Sequence, residues 1–313
     1  SPLIREEILT FNGFKNAVEA LLNFRFAKAL KNNRINLRLV INWFENQAVD
    51  KGWNAGFSQF YPNINSIGYR GYVTSNLYLC TLPSKCENIN NVLPREIAVI
   101  GKELCDSTKE FDASLKTKIA PALRFSHLWE NHFFLPSSKY FTIFFALPYS
   151  WVESNEIFQT LFNNVDYIIN NNFRIIVKPH PTMNIEYVKK MIGSNHSNIF
   201  SLVDESFIDC LSKSNMVISG MSGAVIESIV FGIPVILLRN RRGITFNPIP
   251  KEIPQGIWTM CDSSDEIIDL IQQYSSISDE QLQGYKELGK KVRESYFEPV
   301  TKESVNRFLK LGI

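Results

Sequence analysis

The sequence predicts an α/β protein of two domains, each built around a parallel β-sheet. Two observations lead to this prediction. The chain has 313 residues, of which 45% are hydrophobic, so it is long enough to bury two cores. In its second half, short runs of β-branched and aromatic residues alternate with segments of helical spacing. Strands that are continuously apolar and alternate with helices are typical of a parallel sheet covered on both faces.

Composition and charge argue against several classes of protein. The chain carries 33 basic and 31 acidic residues, and a net charge of +2 gives no strong field for nucleic acid. Its 5 cysteines are odd in number and show no C-x-x-C spacing, which argues against a disulfide framework or a zinc site. No apolar run approaches the ~20 residues of a membrane-spanning helix, and no signal peptide is evident. We therefore expect a cytoplasmic protein.

The first domain is expected over residues 1–135, and Ser1 in place of Met indicates that its beginning is trimmed. Apolar residues at helical spacing predict one or two helices within residues 6–33. Strands are then predicted for LRLVINWF (37–44), SIGYRGYV (66–73) and EIAVIGK (96–102). Turn-forming residues at the end of PALRFSHLWENHFFLPSS predict a linker near residues 130–139.

The second domain is expected over residues 136–298, with strands and helices in alternation. The predicted strands are YFTIFFAL (140–147), FRIIVKP (173–179), NMVISG (215–220) and IPVILL (233–238). The predicted helices cover residues 154–171, 184–193, 222–232 and 265–274. This regular alternation predicts a doubly wound sheet.

Two prolines flank a histidine at the end of a predicted strand. In the sequence KPHP, Pro179 and Pro181 restrict the backbone on either side of His180. Ligands of an open parallel sheet lie beyond the carboxyl ends of its strands, where this histidine is expected. Its imidazole could donate to a phosphate oxygen or protonate a leaving group near neutral pH. A loop histidine that only terminates the strand is the alternative.

A turn rich in glycine and serine follows another predicted strand of this domain. Gly220 and Gly223 permit a tight turn, and Ser219 and Ser222 supply hydroxyls just before a predicted helix. The N-terminus of a helix attracts anions because its free N–H groups and its dipole favour negative charge. One turn into this helix, the Glu227 carboxylate can accept hydrogen bonds from ribose hydroxyls. The segment predicts a nucleotide site, and an ordinary N-cap with a solvated glutamate is the alternative.

Together, these segments resemble the nucleotide-binding half of GT-B glycosyltransferases that use CMP-activated sugars. The resemblance rests on KPHP, SGMSG and ESIVFGIPV, within about residues 140–265. This group includes bacterial sialyltransferases and the β-Kdo transferases of surface-polysaccharide assembly, in which a His-Pro motif and a serine motif hold the CMP phosphate. It implies two Rossmann-like domains with a cleft between them, and a last helix within residues 299–313 that crosses back to the first domain. The donor-binding residues that it implies are Lys178, His180, Ser219, Gly220, Ser222, Gly223 and Glu227.

The segment after the first predicted strand carries two acids. In ENQAVDKGWN, Glu45, Asn46, Gln47 and Asp50 are expected at the rim of the first domain. Sialyltransferases of this kind carry two adjacent acids before a glycine, and the second acid acts as base; here the matching place reads DKG, so Lys51 breaks the pattern. We predict Asp50 as the catalytic carboxylate, kept ionised by Lys51, with Glu45 as the reserve candidate. Helix capping together with a surface ion pair is the alternative.

Two arginines are candidate clamps for the carboxylate of an ulosonic acid. Arg124 in PALRF and Arg70 in GYRGY are suited to this role because a guanidinium binds a carboxylate with two parallel hydrogen bonds. Asn46 and Gln47 are further candidates for contact with this carboxylate or with the acceptor. A domain-interface ion pair is the alternative for either arginine and is favoured for Arg70. The basic loop LRNRRG, residues 238–243, could meet a diphosphate, an anionic acceptor or a membrane surface, or be a solvated loop.

The resemblance implies transfer of an ulosonic acid, Kdo ahead of a sialic-acid-like nonulosonate, from CMP to a surface polysaccharide or lipopolysaccharide. Asp50, Glu45 and His180 are the predicted catalytic residues, and no metal or other cofactor is implied. Expected partners are the nucleotide sugar and a glycan acceptor, which can be lipid-linked, with peripheral contact at the inner membrane face or with other assembly proteins. The alternatives are a CDP-glycerol-type glycerophosphotransferase, a UDP-sugar epimerase, a UDP-sugar GT-B transferase and a non-catalytic scaffold.

Overall fold

The computed structural model describes residues 12–75, 77–130, 140–193, 199–241, 243–263 and 265–310. The described residues form two compact units. The first unit holds residues up to Thr74, Tyr78–Ser126 and the chain from Ser295 onward, and the second holds Ser75, Leu77 and His127–Glu294. The predicted linker at 130–139 lies outside the described residues apart from Glu130, and so do residues 6–11 of the predicted N-terminal helices.

The first unit contains a four-stranded parallel sheet in the order β1-β2-β3-β4. Its strands are β1 (Leu39–Trp43), β2 (Asn65–Arg70), β3 (Glu96–Val99) and β4 (Thr117–Ile119). The sequence predicted the first three strands because each contains a run of apolar and aromatic residues. It did not predict β4, whose three residues are only partly buried and include a lysine.

Two helices cover one face of this sheet, α1 (Asn12–Asn32) and α2 (Ala48–Phe60). They approach closely because Gly52 has no side chain: a Cβ there would lie 1.9 Å from the carbonyl oxygen of Ala20. The buried core that they share with β1 holds Ala27, Val40, Phe57 and Tyr61. The sequence predicted the first of these helices but no element over residues 48–60.

The last helix of the chain, α13 (Lys302–Leu309), packs on the other face of the first sheet. Side chains alternate along a strand, so Tyr69 and its register partner Trp43 point away from the α1–α2 layer. The ring of Phe308 lies 5.5 Å from that of Tyr69, and Phe308 is buried. The first unit also contains two short helices, α3 (Lys85–Ile89) and α4 (Leu104–Ser107).

The second unit contains a six-stranded parallel sheet in the order β10-β9-β8-β5-β6-β7. Its strands are β5 (Thr142–Ala146), β6 (Arg174–Lys178), β7 (Phe200–Leu202), β8 (Met216–Ser219), β9 (Val235–Leu238) and β10 (Trp258–Cys261). Every residue of the central strand β5 is buried, which is why its sequence is a continuous apolar run. The strands β7 and β10 at the two edges were not predicted.

Helices connect these strands and cover both faces of the sheet. They are α5 (His127–Glu130), α6 (Trp151–Phe162), α7 (Val165–Asn170), α8 (Ile185–Ile192), α9 (Phe207–Ser212), α10 (Ala224–Val230), α11 (Glu266–Ser275) and α12 (Asp279–Tyr296). The single helix predicted over 154–171 is two helices, which separate at Asn163 and Asn164. Among the helices of the described ranges, none is long and apolar enough to span a bilayer.

Candidate functional site

The strand order of the second sheet changes direction at β5 and β8. From β5 the chain moves outward through β6 to β7, and then returns to the other side of β5 for β8, β9 and β10. Ligands of open parallel sheets bind beyond the carboxyl ends of the strands at such a switch point. We define the switch-point crevice as the space bordered by the loops 147–150, 179–184 and 220–223, which follow β5, β6 and β8.

His180 lies in the loop after β6, as predicted, and Thr182 determines which of its ring nitrogens carries the proton. The Nδ1 atom lies 3.2 Å from the backbone nitrogen of Thr182 and 2.7 Å from its hydroxyl. A backbone N–H can only donate, so Nδ1 accepts and the neutral ring carries its proton on Nε2. The side chain is therefore a donor at Nε2, the form that can bind a phosphate oxygen.

The two serines of the next loop have different environments. Ser219 is fully buried, and its hydroxyl donates to the carbonyl of Ala146 at 2.7 Å. This hydrogen bond joins β8 to β5. Ser222 is partly exposed, and its hydroxyl accepts from the backbone N–H of Ala224 at 3.3 Å. Ser222 is therefore the serine of this turn that a ligand can reach.

Glu153, in the first turn of α6, comes close to the glycine turn and was not singled out from the sequence. A Cβ at Gly220 would lie 3.1 Å from Glu153 Oε2, so the carboxylate lies close to this turn. By contrast, Gly223 has open space around it and an ordinary helical φ of −60°. Burial raises the pKa of Glu153, although its carboxylate accepts from the backbone N–H of Met221.

Glu227 lies one turn into α10, and a histidine orients its carboxylate. The Oε2 atom lies 2.7 Å from Nε2 of His127, the first residue of α5. The side chain of Glu227 is 13% exposed and that of His127 is 30% exposed, so the pair is partly shielded from water. His127 holds the carboxylate in one orientation, with Oε1 as the candidate acceptor for a ribose hydroxyl. Sequence reasoning missed His127 because 99 residues separate it from Glu227.

Lys178 and Tyr149, at the carboxyl edge of the second sheet, differ in how accessible their side chains are to a ligand. Lys178 donates from Nζ to the carbonyl of Glu205 at 2.5 Å, so its ammonium group is engaged at the connection between β7 and α9. Tyr149, in the loop after β5, is 61% exposed, and its ring lies 6.3 Å from the imidazole of His180. An exposed aromatic ring beside a phosphate donor is suited to stacking against a sugar ring or a base.

In the first unit, Asp50 closes the N-terminus of α2. Its Oδ2 accepts from the backbone N–H groups of Glu45 and Gln47, at 3.0 Å each, and its Oδ1 accepts from the amide of Asn42 at 3.3 Å. The residue is 8% exposed, and burial raises its pKa in spite of these hydrogen bonds. This is the helix-capping arrangement of the alternative interpretation, and it makes the conformation of residues 44–47 depend on Asp50.

Glu45 is the more accessible of the two acids. It follows β1 directly and is partly exposed. Its Oε1 accepts from the indole N–H of Trp43 at 2.7 Å, and its Oε2 accepts from the amide of Gln47 at 2.6 Å. These two donors orient the carboxylate at the carboxyl edge of the first sheet. Of the predicted pair, Glu45 is the acid that a ligand can reach without unfolding the loop.

Asn46 anchors this loop from inside the unit. It has a left-handed φ of 59° and is 4% exposed. Its amide nitrogen lies 3.2 Å from the carbonyl of Cys80 and 3.3 Å from Glu87 Oε2. A buried asparagine in a left-handed conformation holds the backbone in the shape that places Glu45 and Gln47 at the surface.

Lys51 pairs with a different acid from the one expected. Its Nζ lies 2.5 Å from Glu87 Oε1, and Glu87 in turn accepts from the backbone N–H of Ser84 at 2.8 Å. Burial opposes the ionised form of Glu87, but the contacts with Lys51 and Ser84 outweigh it and lower the pKa. The prediction that Lys51 keeps Asp50 ionised is therefore wrong, because burial raises the pKa of Asp50 and Lys51 serves Glu87.

The two predicted arginine clamps lie in contrasting environments. Arg70 is 2% exposed, its Nη1 lies 3.3 Å from the hydroxyl of Thr108, and its Nη2 donates to the carbonyl of Thr81. Its partners in the structure are thus a hydroxyl and a carbonyl, rather than the carboxylate of the ion pair favoured from the sequence, and burial lowers its pKa. Arg124 is exposed, with its guanidinium 5.7 Å from the ring of Phe125. Only Arg124 presents its charge at the surface.

In the parts of the chain that the structure describes, no three or more histidine, cysteine, aspartate or glutamate side chains are placed to hold a metal ion together.

Solved structures with similar architecture place the chain in a fold class. It superposes on the S. aureus protein MnaA in complex with UDP with a TM-score of 0.57 and 14% identity, over 95% of this chain and 80% of that one. A Listeria monocytogenes protein assigned as a UDP-N-acetylglucosamine 2-epimerase gives a TM-score of 0.60 and 14% identity, over 93% and 78%. A glycosyltransferase of Rickettsia africae gives a TM-score of 0.56 and 12% identity, over 96% and 82%.

These similarities establish the fold. The chain has the GT-B fold, with two α/β units that each contain a parallel sheet, as the sequence predicted. No protein-family model matches the sequence, and no curated protein matches it significantly. Identities of this size carry information on architecture, so the activity has to be argued from the residues at the sheet edges.

Proposed function

We propose that this chain is a glycosyltransferase that moves a sugar from a nucleotide donor to a glycan acceptor. The switch-point crevice of the second unit is the observation that carries this proposal. His180, Ser222 and the His127–Glu227 pair lie on elements at that edge of the sheet. They provide a phosphate donor, a small turn and a ribose acceptor, which are the groups that a nucleotide sugar requires.

The donor phosphate is bound by His180. Its Nε2–H donates to a phosphate oxygen, and this hydrogen bond strengthens as negative charge develops on the leaving group. Thr182 is a positioning residue for this step, since its backbone N–H lies 3.2 Å from Nδ1 and keeps the proton on the other nitrogen. Glu227, oriented by His127, accepts from the ribose and aligns the nucleotide.

The catalytic carboxylate is Glu45, with Asp50 as its positioning residue. Glycosyl transfer passes through an oxocarbenium-like transition state, which a nearby carboxylate stabilises or assists by removing a proton from the acceptor. Glu45 is partly exposed and held by two donors, whereas Asp50 is 8% exposed and holds the backbone N–H of Glu45. We therefore assign the catalytic role to Glu45 and not to Asp50, which the sequence favoured.

A UDP sugar is the donor that we favour. The structures that resemble this chain include a UDP complex and a protein named for UDP-N-acetylglucosamine. A CMP-activated ulosonic acid is the second candidate, supported by the resemblance of KPHP and SGMSG to CMP-dependent enzymes. Exposed Arg124 is the candidate partner for the donor carboxylate in that second case.

A thermal-shift panel of UDP, UMP, CMP, CDP and GDP tests these donors, because a ligand that binds the folded state raises the melting temperature. We expect UDP to give the largest shift. A larger shift with CMP than with UDP and UMP would support the CMP-ulosonate donor. If no nucleotide changes the melting temperature, the glycosyltransferase proposal fails and the scaffold alternative is favoured.

An epimerase would act on the donor without an acceptor. Incubation with UDP-N-acetylglucosamine alone, followed by ¹H NMR of the anomeric region, distinguishes the two activities. We expect the donor to keep its configuration and to be consumed only by slow hydrolysis. Appearance of a new UDP-linked epimer would contradict the transferase proposal and identify the chain as an epimerase.

A further inference from the structure

We infer that the first unit carries a binding surface for an anionic phospholipid membrane. It consists of a basic pocket at the amino edge of the first sheet and of the outward face of α1, and we refer to it as the lipid surface. Its basic residues are Lys31, Arg34 and Arg38, and its apolar residues are Val18, Leu21, Leu22 and Phe26. The carboxyl-edge residues Glu45 and Asp50 belong to the opposite end of β1.

The basic pocket has a volume of about 660 Å³ and lies between the segments that precede β1 and β2. Among its described lining residues, three are cationic and none is acidic, so a phosphate group would meet only positive charge. Lys31 and Arg34 lie at or just beyond the carboxyl end of α1, where cations also stabilise the helix dipole. Arg38 lies well beyond the helix, so the dipole does not account for the whole cluster.

Local contacts hold the pocket open and orient its charges. The Nζ atom of Lys31 lies 5.3 Å from the centre of the Tyr61 ring, and the hydroxyl of Tyr61 donates to the carbonyl of Ile35 at 3.0 Å. Arg38 donates from Nη2 to the carbonyl of Lys310 at 3.2 Å. Arg34 has a left-handed φ of 57° just after the end of α1, a conformation in which helices commonly end. All three side chains remain exposed.

Among the residues that the structure describes, an apolar stripe on α1 remains exposed. Val18, Leu22 and Phe26 are spaced four residues apart and so lie on one side of the helix, with 39%, 59% and 48% of their surface exposed. Leu21 beside them is 54% exposed. The opposite side of α1 packs on α2, where a Cβ at Gly52 would collide with Ala20. Phe26 also contacts α2, with its ring stacked on that of Trp53 at 5.9 Å. The helix therefore carries apolar side chains on its exposed side as well as on the side that packs on α2.

The charges around the stripe favour an anionic bilayer as the occupant. Lys15, Arg25 and Lys28 are exposed on the same helix, and Glu19 is its one acidic residue among those described. A second copy of the chain would bring these cations against one another, which is unfavourable. A membrane that contains anionic lipid places acyl chains against the stripe and headgroup phosphates against the bases.

Co-sedimentation of the whole chain with lipid vesicles tests the lipid surface. We expect binding to phosphatidylcholine vesicles that contain phosphatidylglycerol, little binding to phosphatidylcholine alone, and weaker binding in high salt because the charges are screened. A variant with Lys31→Gln, Arg34→Gln and Arg38→Gln should bind at least about tenfold more weakly, since each base near an anionic surface contributes measurably. Leu22→Ser with Leu21→Ser should weaken binding independently of salt.

The matched control is Lys251→Gln with Lys290→Gln and Lys291→Gln, which removes the same charge from exposed positions of the second unit and should bind like the wild type. If this control loses as much vesicle binding as the first variant, binding depends only on net charge and the assignment of the lipid surface is wrong. If inorganic phosphate stabilises the protein but vesicles do not bind, the ligand of the basic pocket is a soluble anion and not a lipid. If the protein dimerises, Leu22→Ser abolishes the dimer and vesicles do not bind, a second copy of the chain covers the apolar stripe instead of a membrane. Nucleotide-induced thermal shifts in each variant report on the donor site separately.

Discussion

Two predicted site residues at the carboxyl edge of the second sheet differ in burial from two at the carboxyl edge of the first. At the edge of the second sheet, His180 and Glu227 are partly exposed, and one neighbour orients each of them. At the edge of the first sheet, Asp50 and Arg70 are buried, and backbone or hydroxyl groups engage their charged atoms. Residue type and position after a strand therefore do not determine whether a polar group is accessible or serves as a loop anchor. Burial and hydrogen-bond partners make that distinction.

Buried polar groups near Asp50 extend this contrast. Asn54 is 2% exposed, and neither its amide nitrogen nor its amide oxygen has a partner among the described residues. The amide oxygen of Asn42, whose nitrogen donates to Asp50, is in the same situation. Unsatisfied buried polar groups are costly and call for an explanation such as ordered water or a functional role.

The largest expected effect separates the two acids of the first unit. Glu45→Gln should lower the transfer rate by about 10³-fold, the scale of a positioned acid or base, while the nucleotide-induced thermal shift stays unchanged. Asp50→Asn should also lower the rate, but together with a loss of about 1–3 kcal/mol in the free energy of unfolding, because it disturbs a buried capping group. Steady-state kinetics and denaturant titration of both variants measure these quantities.

The opposite pattern would reverse the assignment of these acids. If Glu45→Gln retains activity while Asp50→Asn is inactive and as stable as the wild type, Asp50 is the catalytic group that the sequence first indicated. If both variants remain active, the first unit supplies no catalytic carboxylate from this loop. Gln47→Ala serves as a control, since it removes one donor to Glu45 but leaves both acids in place.

A smaller loss is expected when the phosphate donor of the second unit is removed. His180→Ala should lower the rate by about 10²-fold with an unchanged melting temperature, because the side chain is only half-buried. Thr182→Val keeps the backbone N–H that Nδ1 accepts but removes the hydroxyl 2.7 Å away. It should therefore cost less and alter the pH dependence of the rate. A fully active His180→Ala variant would return this histidine to the role of a strand-end residue.

An effect on binding alone is expected at the pair that orients the ribose contact. His127→Ala removes the group 2.7 Å from Glu227 Oε2 and should raise the KM for the donor about tenfold, the usual size for a hydrogen bond to a charged group. The kcat should change little, because the contact is the same in the ground and transition states. Isothermal titration with the best nucleotide of the thermal-shift panel checks this result. Unchanged affinity would assign the pair a structural role.

The smallest effect concerns an ion-pair cluster at the amino edge of the first sheet. Glu96 lies 2.8 Å from Lys310 and 3.0 Å from Lys118, and although burial opposes ionisation, these lysines lower its pKa to about 2 from 4.5. A lowered pKa stabilises the fold above pH 4.5, and this contribution disappears as the pH falls from 4.5 to about 2. Glu96→Gln should flatten this part of the stability curve.

The expected size is modest, at most about 1 kcal/mol, because Lys310 is 53% exposed and solvent screens its charge. Chemical denaturation across this pH range measures it. Glu186→Gln removes an exposed pair with Lys189, at 2.7 Å, and should leave the curve unchanged. If the Glu96→Gln variant loses as much stability as the wild type when the pH falls through this range, other carboxylates cause that loss.

The sequence alone determined the α/β class and most of the strands that build the two sheets. Central strands of a parallel sheet are covered on both faces, so β5, β6 and β8 are continuous apolar runs that can be recognised locally. The position of His180 followed in the same way, because a residue directly after such a strand must emerge at the carboxyl edge. The strands β4, β7 and β10 could not be recognised, since they are only partly buried and do not form a continuous apolar run.

The tertiary structure alone decided which polar residues are accessible and which partners engage the others. His127 meets Glu227, and Lys51 meets Glu87 instead of Asp50. These partners are distant in the sequence, so no local pattern could assign them. Folding likewise buries Asp50 and places it in the capping box of α2. The physical reason is that an ionisable side chain takes its role from the solvent it loses and the donors it gains, and both depend on segments that only folding brings together.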